Sequence, residues 1–110
     1  MKDFIACAIQ FWAKPNRPAE NLRKISLLIK KAIDLNNPQL IVFPESCTTG
    51  FTPNMSNSDF YKLIETIPGP CTDKIGELAR KYKTNIVLPI YEKGKIKNQI
   101  FNSACIIDSS

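Results

Sequence analysis

The chain has 110 residues and a mass of 12.4 kDa, with 44% hydrophobic residues, 23% charged residues and a formal net charge of +5. This length excludes two independent hydrophobic cores, and the composition differs from the charge-rich, apolar-poor mixture of disordered chains. No apolar run approaches the ~18 to 20 residues of a membrane-spanning helix, and no signal-peptide pattern opens the chain. The sequence therefore predicts a cytoplasmic protein with no membrane partner.

The first half of the chain predicts a β-α-β unit. Residues 4–10 form a nearly continuous apolar run, which is typical of a strand covered on both faces. Apolar residues then recur at helical spacing from Leu22 to Ile33, with Pro18 in the first turn and Asn37-Pro38 at the end. Residues 40–43 predict a second strand, and a crossover through one helix implies that the two strands lie parallel.

The second half predicts a loop, a second main helix and a β-hairpin. Residues 46–58 are rich in Ser, Thr and Asn, and indicate either a functional loop or an ordinary exposed excursion. A short helix is predicted over residues 59–65, broken by residues 67–70, and an amphipathic helix begins at Thr72. Residues 85–91 and 100–108 predict antiparallel strands joined by a turn at residues 92–95. Together these elements make one α/β domain over residues 1–110.

Glu45 is the side chain whose position most favours chemistry. It follows the second strand directly, and open α/β sheets place their ligand sites at the carboxyl ends of parallel strands. A carboxylate shielded there by a long loop is suited to general-base catalysis. The alternative from position alone is an ordinary exposed acid at the start of a loop.

The four cysteines do not form a metal-binding pattern. No two of them are in a CxxC pair, and the chain has no histidine, so the sequence predicts no zinc site. Cys7 and Cys105 lie in apolar runs and are expected in the core. Cys47 and Cys71 are predicted in loops, where the two hypotheses are a reactive thiol or simple packing, and neither has a histidine partner. Two aromatic residues, Trp12 and Phe51, either line a pocket or belong to the core.

The positive charge is concentrated in one segment. Residues 80–97 contain six Lys or Arg and a single Glu, and the remaining charges cancel. Such a segment favours an acidic partner or, alternatively, forms the solvated face of an edge strand. No recognition helix and no array of stacking aromatic residues accompanies it, so nucleic acid is not a predicted partner.

Seven short motifs follow one another along the chain: Ile9-Gln10-Phe11, Asn21-Leu22, Leu40 to Glu45, Thr49-Gly50-Phe51, Ile67 to Pro70, Gly76 to Arg80, and Asn102-Ser103-Ala104. Their order and spacing resemble the N-terminal part of the carbon-nitrogen hydrolase (nitrilase) family. The resemblance implies a four-layer α-β-β-α sandwich, to which this chain contributes a parallel strand pair, two main helices and a β-hairpin. It also implies an incomplete domain, truncated before the family's catalytic Lys and Cys motifs.

The resemblance gives Glu45 a role as the general base of a Glu-Lys-Cys triad. The triad's lysine and cysteine follow Asn102 in chain order, whereas Lys93, Lys95 and Lys97 precede it, so none of these lysines matches. None of the four cysteines stands in the nucleophile motif. The resemblance therefore implies that these 110 residues alone are inactive.

For the full-length protein, the resemblance implies hydrolysis of a small amide, N-carbamoyl or nitrile substrate through a thioester, with no metal or organic cofactor. It also implies a homo-oligomer. The substrate class stays open among these three. The alternative, from a different class of function, is a non-catalytic α/β interaction module whose basic residues 80–97 bind an acidic partner.

Overall fold

The computed structural model describes residues 3–51 and 54–110. Within those residues, no helix combines the length and the apolar character needed to cross a bilayer. The elements of the described chain, in order, are β1 (Ala6–Ala8), α1 (Pro18–Asn36), β2 (Leu40–Val42), α2 (Asn57–Tyr61), α3 (Pro70–Tyr82), β3 (Asn85–Lys93) and β4 (Ile100–Ile107).

The strands form one sheet in the order β1-β2-β3-β4. β1 and β2 are parallel, β2 and β3 are parallel, and β4 runs antiparallel to β3. The predicted parallel pair and the predicted hairpin are both confirmed, and the parallel part extends over three strands. β3 is an interior strand and contains one lysine, Lys93, while Lys95 and Lys97 lie in the turn that follows, so these lysines do not form the face of an edge strand that the sequence suggested.

Both main helices pack on the same face of the sheet, here called the helix face. Two successive right-handed crossovers between parallel strands in one direction require this arrangement. Ile25 and Ile29 of α1 and Ile75 of α3 are fully buried there. They belong to one apolar cluster with the strand residues Ile41, Ile86 and Leu88, which are also fully buried.

The opposite face, here called the open face, carries the alternate residues of the same strands. From β1 to β4 these include Ala6, Ala8, Leu40, Val42, Val87, Pro89, Tyr91, Asn102, Ala104 and Ile106, all half-buried or exposed. The predicted cover on both faces of the first strand is absent from the described chain, where β1 is also shorter than expected. The described helices supply apolar cover on one side only.

The helix boundaries follow from local chemistry. α1 begins at Pro18 and ends with Asn37 in the left-handed region (φ 44°), as the proline and asparagine signals predicted. α3 begins at Pro70, two residues before the predicted start, because a proline is tolerated in the first turn of a helix. The Glu65 carboxylate accepts a hydrogen bond from the backbone N–H of Cys71 (2.7 Å) and so caps this start. The short helix α2 lies at Asn57–Tyr61 rather than at residues 59–65.

Candidate active site

Glu45 lies just beyond β2, at the carboxyl end of the three parallel strands. The N–H of Phe43 still bonds to the carbonyl of Val87, which keeps the chain against β3 up to that point. Ser46 then adopts a left-handed backbone (φ 48°), and the N–H of Cys47 bonds to the carbonyl of Pro89, so the strand ends in a turn that still contacts β3. The Glu45 side chain is exposed at this turn. Glu45 thus lies at the predicted end of the strand, but the shielding predicted for its carboxylate is wrong for the described residues, where the side chain is exposed.

The predicted loop at residues 46–58 divides into a buried turn directly after Glu45 and an exposed part, which includes Phe51, Asn54 and residues 56–58. Residues 46–50 are all buried, and the N–H of Gly50 bonds to the carbonyl of Ser46 (2.8 Å). Gly50 has φ 69°, and a Cβ there would meet the Ala13 carbonyl oxygen at 3.3 Å, so a glycine is needed. Of the rest of the predicted loop, Thr52 and Pro53 lie outside the described residues.

Asn21, near the start of α1, holds this buried segment in place through hydrogen bonds. Its amide nitrogen donates to the carbonyls of Thr48 and Lys14 (2.8 Å each), and its amide oxygen accepts from the N–H of Lys14 (2.8 Å). Asn21 is itself buried. One side chain therefore ties the segment after β1 and the segment after β2 to the same helix, and both segments border Glu45.

The Glu45 carboxylate reaches across the open face to β4. Asn102 Nδ2 donates a hydrogen bond to Glu45 Oε1 at 3.0 Å. Tyr91, opposite Asn102 in the β3–β4 register, is the neighbouring titratable group. Burial, followed by the negative charge of Glu45, raises the pKa of the Tyr91 phenol. The phenol is thus held neutral beside the carboxylate.

Two cavities border this position and share Phe51. The smaller, of about 270 Å³, includes Trp12, Glu45 and Phe51 in its wall. The larger, of about 520 Å³, lies between Phe51, Phe60 and Tyr91. Phe60 and Tyr91 pack edge to face with ring centroids 5.1 Å apart. Trp12 and Phe51 are 70% and 68% exposed, so they line cavities rather than belonging to the core.

The two cysteines considered as nucleophiles are inert in this structure. Cys47 lies in the buried turn and its thiol donates to the carbonyl of Pro89 (3.2 Å), while Cys71 lies in the first turn of α3 rather than in a loop. Burial raises the pKa of both thiols to about 12. Cys105 is buried as predicted, and Cys7 packs against the core at its edge. These contacts support packing roles for all four.

The basic segment does not form one patch. Arg80, Lys81 and Lys83 lie at the end of α3, whereas Lys93, Lys95 and Lys97 lie at the far end of β3. The nine residues of β3 separate the two groups by about 26 Å at ~3.3 Å per residue. Lys93 is further engaged with the Tyr61 ring, 4.5 Å from its centroid. Each end presents three cations at most.

Asn102 and Tyr91 are the site residues to which the sequence analysis assigned no role. The signal that points to them is the predicted hairpin, because an antiparallel pair puts directly opposed residues on the same face. The hairpin signal identifies these two residues only when the β3–β4 register is known, because the register decides which residue of β3 lies opposite Asn102. The sequence gives no direct sign that Asn102 meets Glu45, 57 positions earlier.

The sequence is similar to a known protein family and to individual members of it. Residues 5–110 match the family model of the carbon-nitrogen hydrolases. A probable nitrilase of Schizosaccharomyces pombe is 32% identical over 108 residues, covering 96% of this chain and 38% of that protein. A formamidase of Bacillus cereus (strain B4264) is 38% identical over 70 residues, covering 64% of this chain and 20% of that protein.

The likeness extends to solved structures. A carbon-nitrogen hydrolase from Helicobacter pylori G27 superposes with a TM-score of 0.81 at 17% identity, over 96% of this chain and 36% of that chain. At this identity the match shows the shared α/β fold. The chain spans well under half the length of each of these three proteins.

Proposed function

Because the chain belongs to the carbon-nitrogen hydrolase family, we propose that Glu45 is the general base of a carbon-nitrogen hydrolase in the full-length protein. The observation that carries this proposal is the position of the Glu45 carboxylate. It is exposed at the carboxyl end of the parallel strands, borders a cavity, and accepts a hydrogen bond from Asn102. A base must be accessible to the proton that it abstracts, and this carboxylate is.

The mechanism proposed for the full-length protein is nucleophilic catalysis through a Glu-Lys-Cys triad. Glu45 takes the proton of a cysteine thiol, and the sulfur attacks the carbonyl or nitrile carbon of the substrate. A lysine stabilises the negative charge that develops on the substrate. An amide or N-carbamoyl substrate then expels ammonia or an amine, which takes the proton from Glu45, whereas a nitrile first forms a thioimidate to which water adds before ammonia leaves. In each case water finally hydrolyses the thioester. The lysine and cysteine are those that the family resemblance puts after Asn102, and the buried thiols of Cys47 and Cys71 are unsuited to the nucleophile's role.

The proposed substrates are small amides, N-carbamoyl compounds or nitriles. Similarity to a nitrilase and to a formamidase supports this range without choosing within it. The aromatic walls provided by Trp12 and Phe51 would cover apolar parts of a small substrate.

We further propose that residues 1–110 are one part of a single longer domain, and that the full-length protein is a cytoplasmic homo-oligomer. The short span relative to the similar proteins supports the first point. Exposed apolar side chains, among them Phe4, Phe101 and Ile106, support further packing against these residues.

The interaction-module alternative receives less support from the structure. Its basic residues are divided between the two ends of β3, so they do not form a continuous surface for one acidic partner. A protein that lacks the downstream lysine and cysteine motifs altogether would favour this alternative again.

The test is substitution of Glu45 by Gln in the full-length protein. The change is nearly isosteric and removes only the ionisable group, so we expect a loss of ~10² or more in kcat with an unchanged melting temperature. Ammonia release from an amide substrate measures the turnover. Glu77→Gln, an exposed carboxylate on α3, is the matched control and should retain full activity. A folded and active Glu45→Gln enzyme would overturn the proposal.

A further inference from the structure

Asn102 is the polar side chain that contacts the candidate base directly. Its amide donates to Glu45 Oε1 at 3.0 Å. Within the described part of the chain, no other side-chain hydrogen bond reaches the Glu45 carboxylate. Glu45 itself forms part of the wall of the smaller cavity, together with Trp12 and Phe51.

Strand pairing in the sheet brings Asn102 and Glu45 close to each other. Asn102 is paired with Tyr91 in the β3–β4 register, and β3 is itself paired with β2. The two side chains thus come from strands separated by one strand, and they approach each other over the open face. The next residue of β4, Ser103, points to the other face, where its hydroxyl donates to Glu92 Oε1 (2.8 Å). Each of these neighbouring β4 residues holds a different glutamate.

The chemistry of an amide suits this place. An amide donor orients a carboxylate without the full positive charge that a lysine or arginine would bring, and such a charge would oppose proton uptake. The titratable neighbour is the Tyr91 phenol, which is neutral. A carboxylate at an exposed turn has several rotamers, and one fixed oxygen removes most of that freedom.

We propose that Asn102 is a positioning residue that fixes Glu45 through Oε1 and presents Oε2 to the proton that it accepts. This inference rests on the proposed function of Glu45. The proton passes from the nucleophilic thiol to Oε2, and from there to the leaving nitrogen, while the bond from Asn102 stays on Oε1 throughout.

The test uses two variants of the full-length enzyme and one matched control. Asn102→Leu keeps the size and removes the donor, and we expect kcat to fall by about 10-fold to 10²-fold with KM little changed. Asn102→Asp keeps the shape and adds an anion, so the acid limb of the kcat/KM profile should move to higher pH. Ser103→Ala, which removes the neighbouring bond to Glu92, should change neither the kcat nor the pH profile.

The outcomes separate this inference from the proposed function. If Glu45→Gln is inactive but both Asn102 variants keep the wild-type kcat and pH profile, the positioning role is wrong and the base assignment stands. If Glu45→Gln is itself active, the proposed function fails first. If both Asn102 variants lose folded enzyme instead, Asn102 has a structural role and the inference is overturned.

Discussion

The two faces of the sheet are built from the same strands and differ in what they carry. On the helix face, Ile86 is fully buried within a continuous apolar cluster. On the open face, Ile106 is 79% exposed. Glu45, Tyr91 and Asn102 lie at the other end of this face, where the parallel strands have their carboxyl ends. The comparison shows a closed apolar core on one face, whereas the other face leaves apolar side chains exposed and carries the residues of the proposed site.

The largest expected effect concerns activity. The 110-residue chain alone should release no ammonia from amide, N-carbamoyl or nitrile substrates, because a base without its nucleophile and cation loses several orders of magnitude in rate. With pKa values of about 12, only about one in 10⁴ of the Cys47 and Cys71 thiols is ionised at pH 8. Turnover abolished by Cys47→Ala or Cys71→Ala would show that a thiol of the helix-face core is reactive after all.

The next effect concerns association through the open face. Unpaired edge groups on β4 and exposed apolar residues such as Ile106 favour contacts with other chains. We expect sedimentation of the 110-residue chain to give a dimer or larger species, and Ile106→Lys to shift it towards the monomer. A clean wild-type monomer with a cooperative melt at micromolar concentration would mean that the open face needs no cover.

A matched pair of substitutions measures the two faces on one scale. Ile86→Ala should lower the free energy of unfolding by about 2 to 5 kcal/mol, because it leaves a cavity in a closed core. Ile106→Ala makes the same chemical change at an exposed site and should alter it by no more than ~0.5 kcal/mol at low protein concentration. Urea denaturation of both variants gives the comparison, and equal losses would contradict it.

The last effect is absent at neutral pH and is an alkaline loss of stability from the buried thiols. Burial raises the pKa of Cys47 and of Cys71 from 9.0 to about 12. Well below pH 9, both thiols are protonated in the folded chain and in the unfolded chain. Between pH 9 and pH 12 the unfolded chain loses these protons first, so stability falls by up to about 1.4 kcal/mol per pH unit for each thiol. The double variant Cys47→Ala, Cys71→Ala should have a shallower slope, and an identical slope would show that these thiols titrate normally.

The helix face was largely predictable from the sequence, because periodicity and capping are local signals. The spacing of Ile25 and Ile29 gave α1, and the proline and asparagine signals marked both of its ends. The strands and the antiparallel hairpin followed from apolar runs separated by turn residues. The start of α3 was misplaced because Pro70 acts as a helix-starting residue there, and not only as a breaker.

The open face was less predictable because its contacts depend on register and on distant pairs. Glu45 was found from its place after a strand, but its partner Asn102 is 57 residues away and becomes a neighbour only through β3. The buried turn after Glu45 was similarly hidden, since Asn21 holds it through bonds to residues on two other segments. A polar composition alone suggested exposure there.

The division between the faces is tested most directly by measuring turnover and the free energy of unfolding together in two variants of the full-length protein. Glu45→Gln, on the open side, should lose ~10² or more in kcat and keep its stability. Ile86→Val, on the helix face, should lose about 0.5 to 1.5 kcal/mol of stability and keep its kcat. An active Glu45→Gln enzyme, or an Ile86→Val enzyme that is fully stable but inactive, would contradict the account.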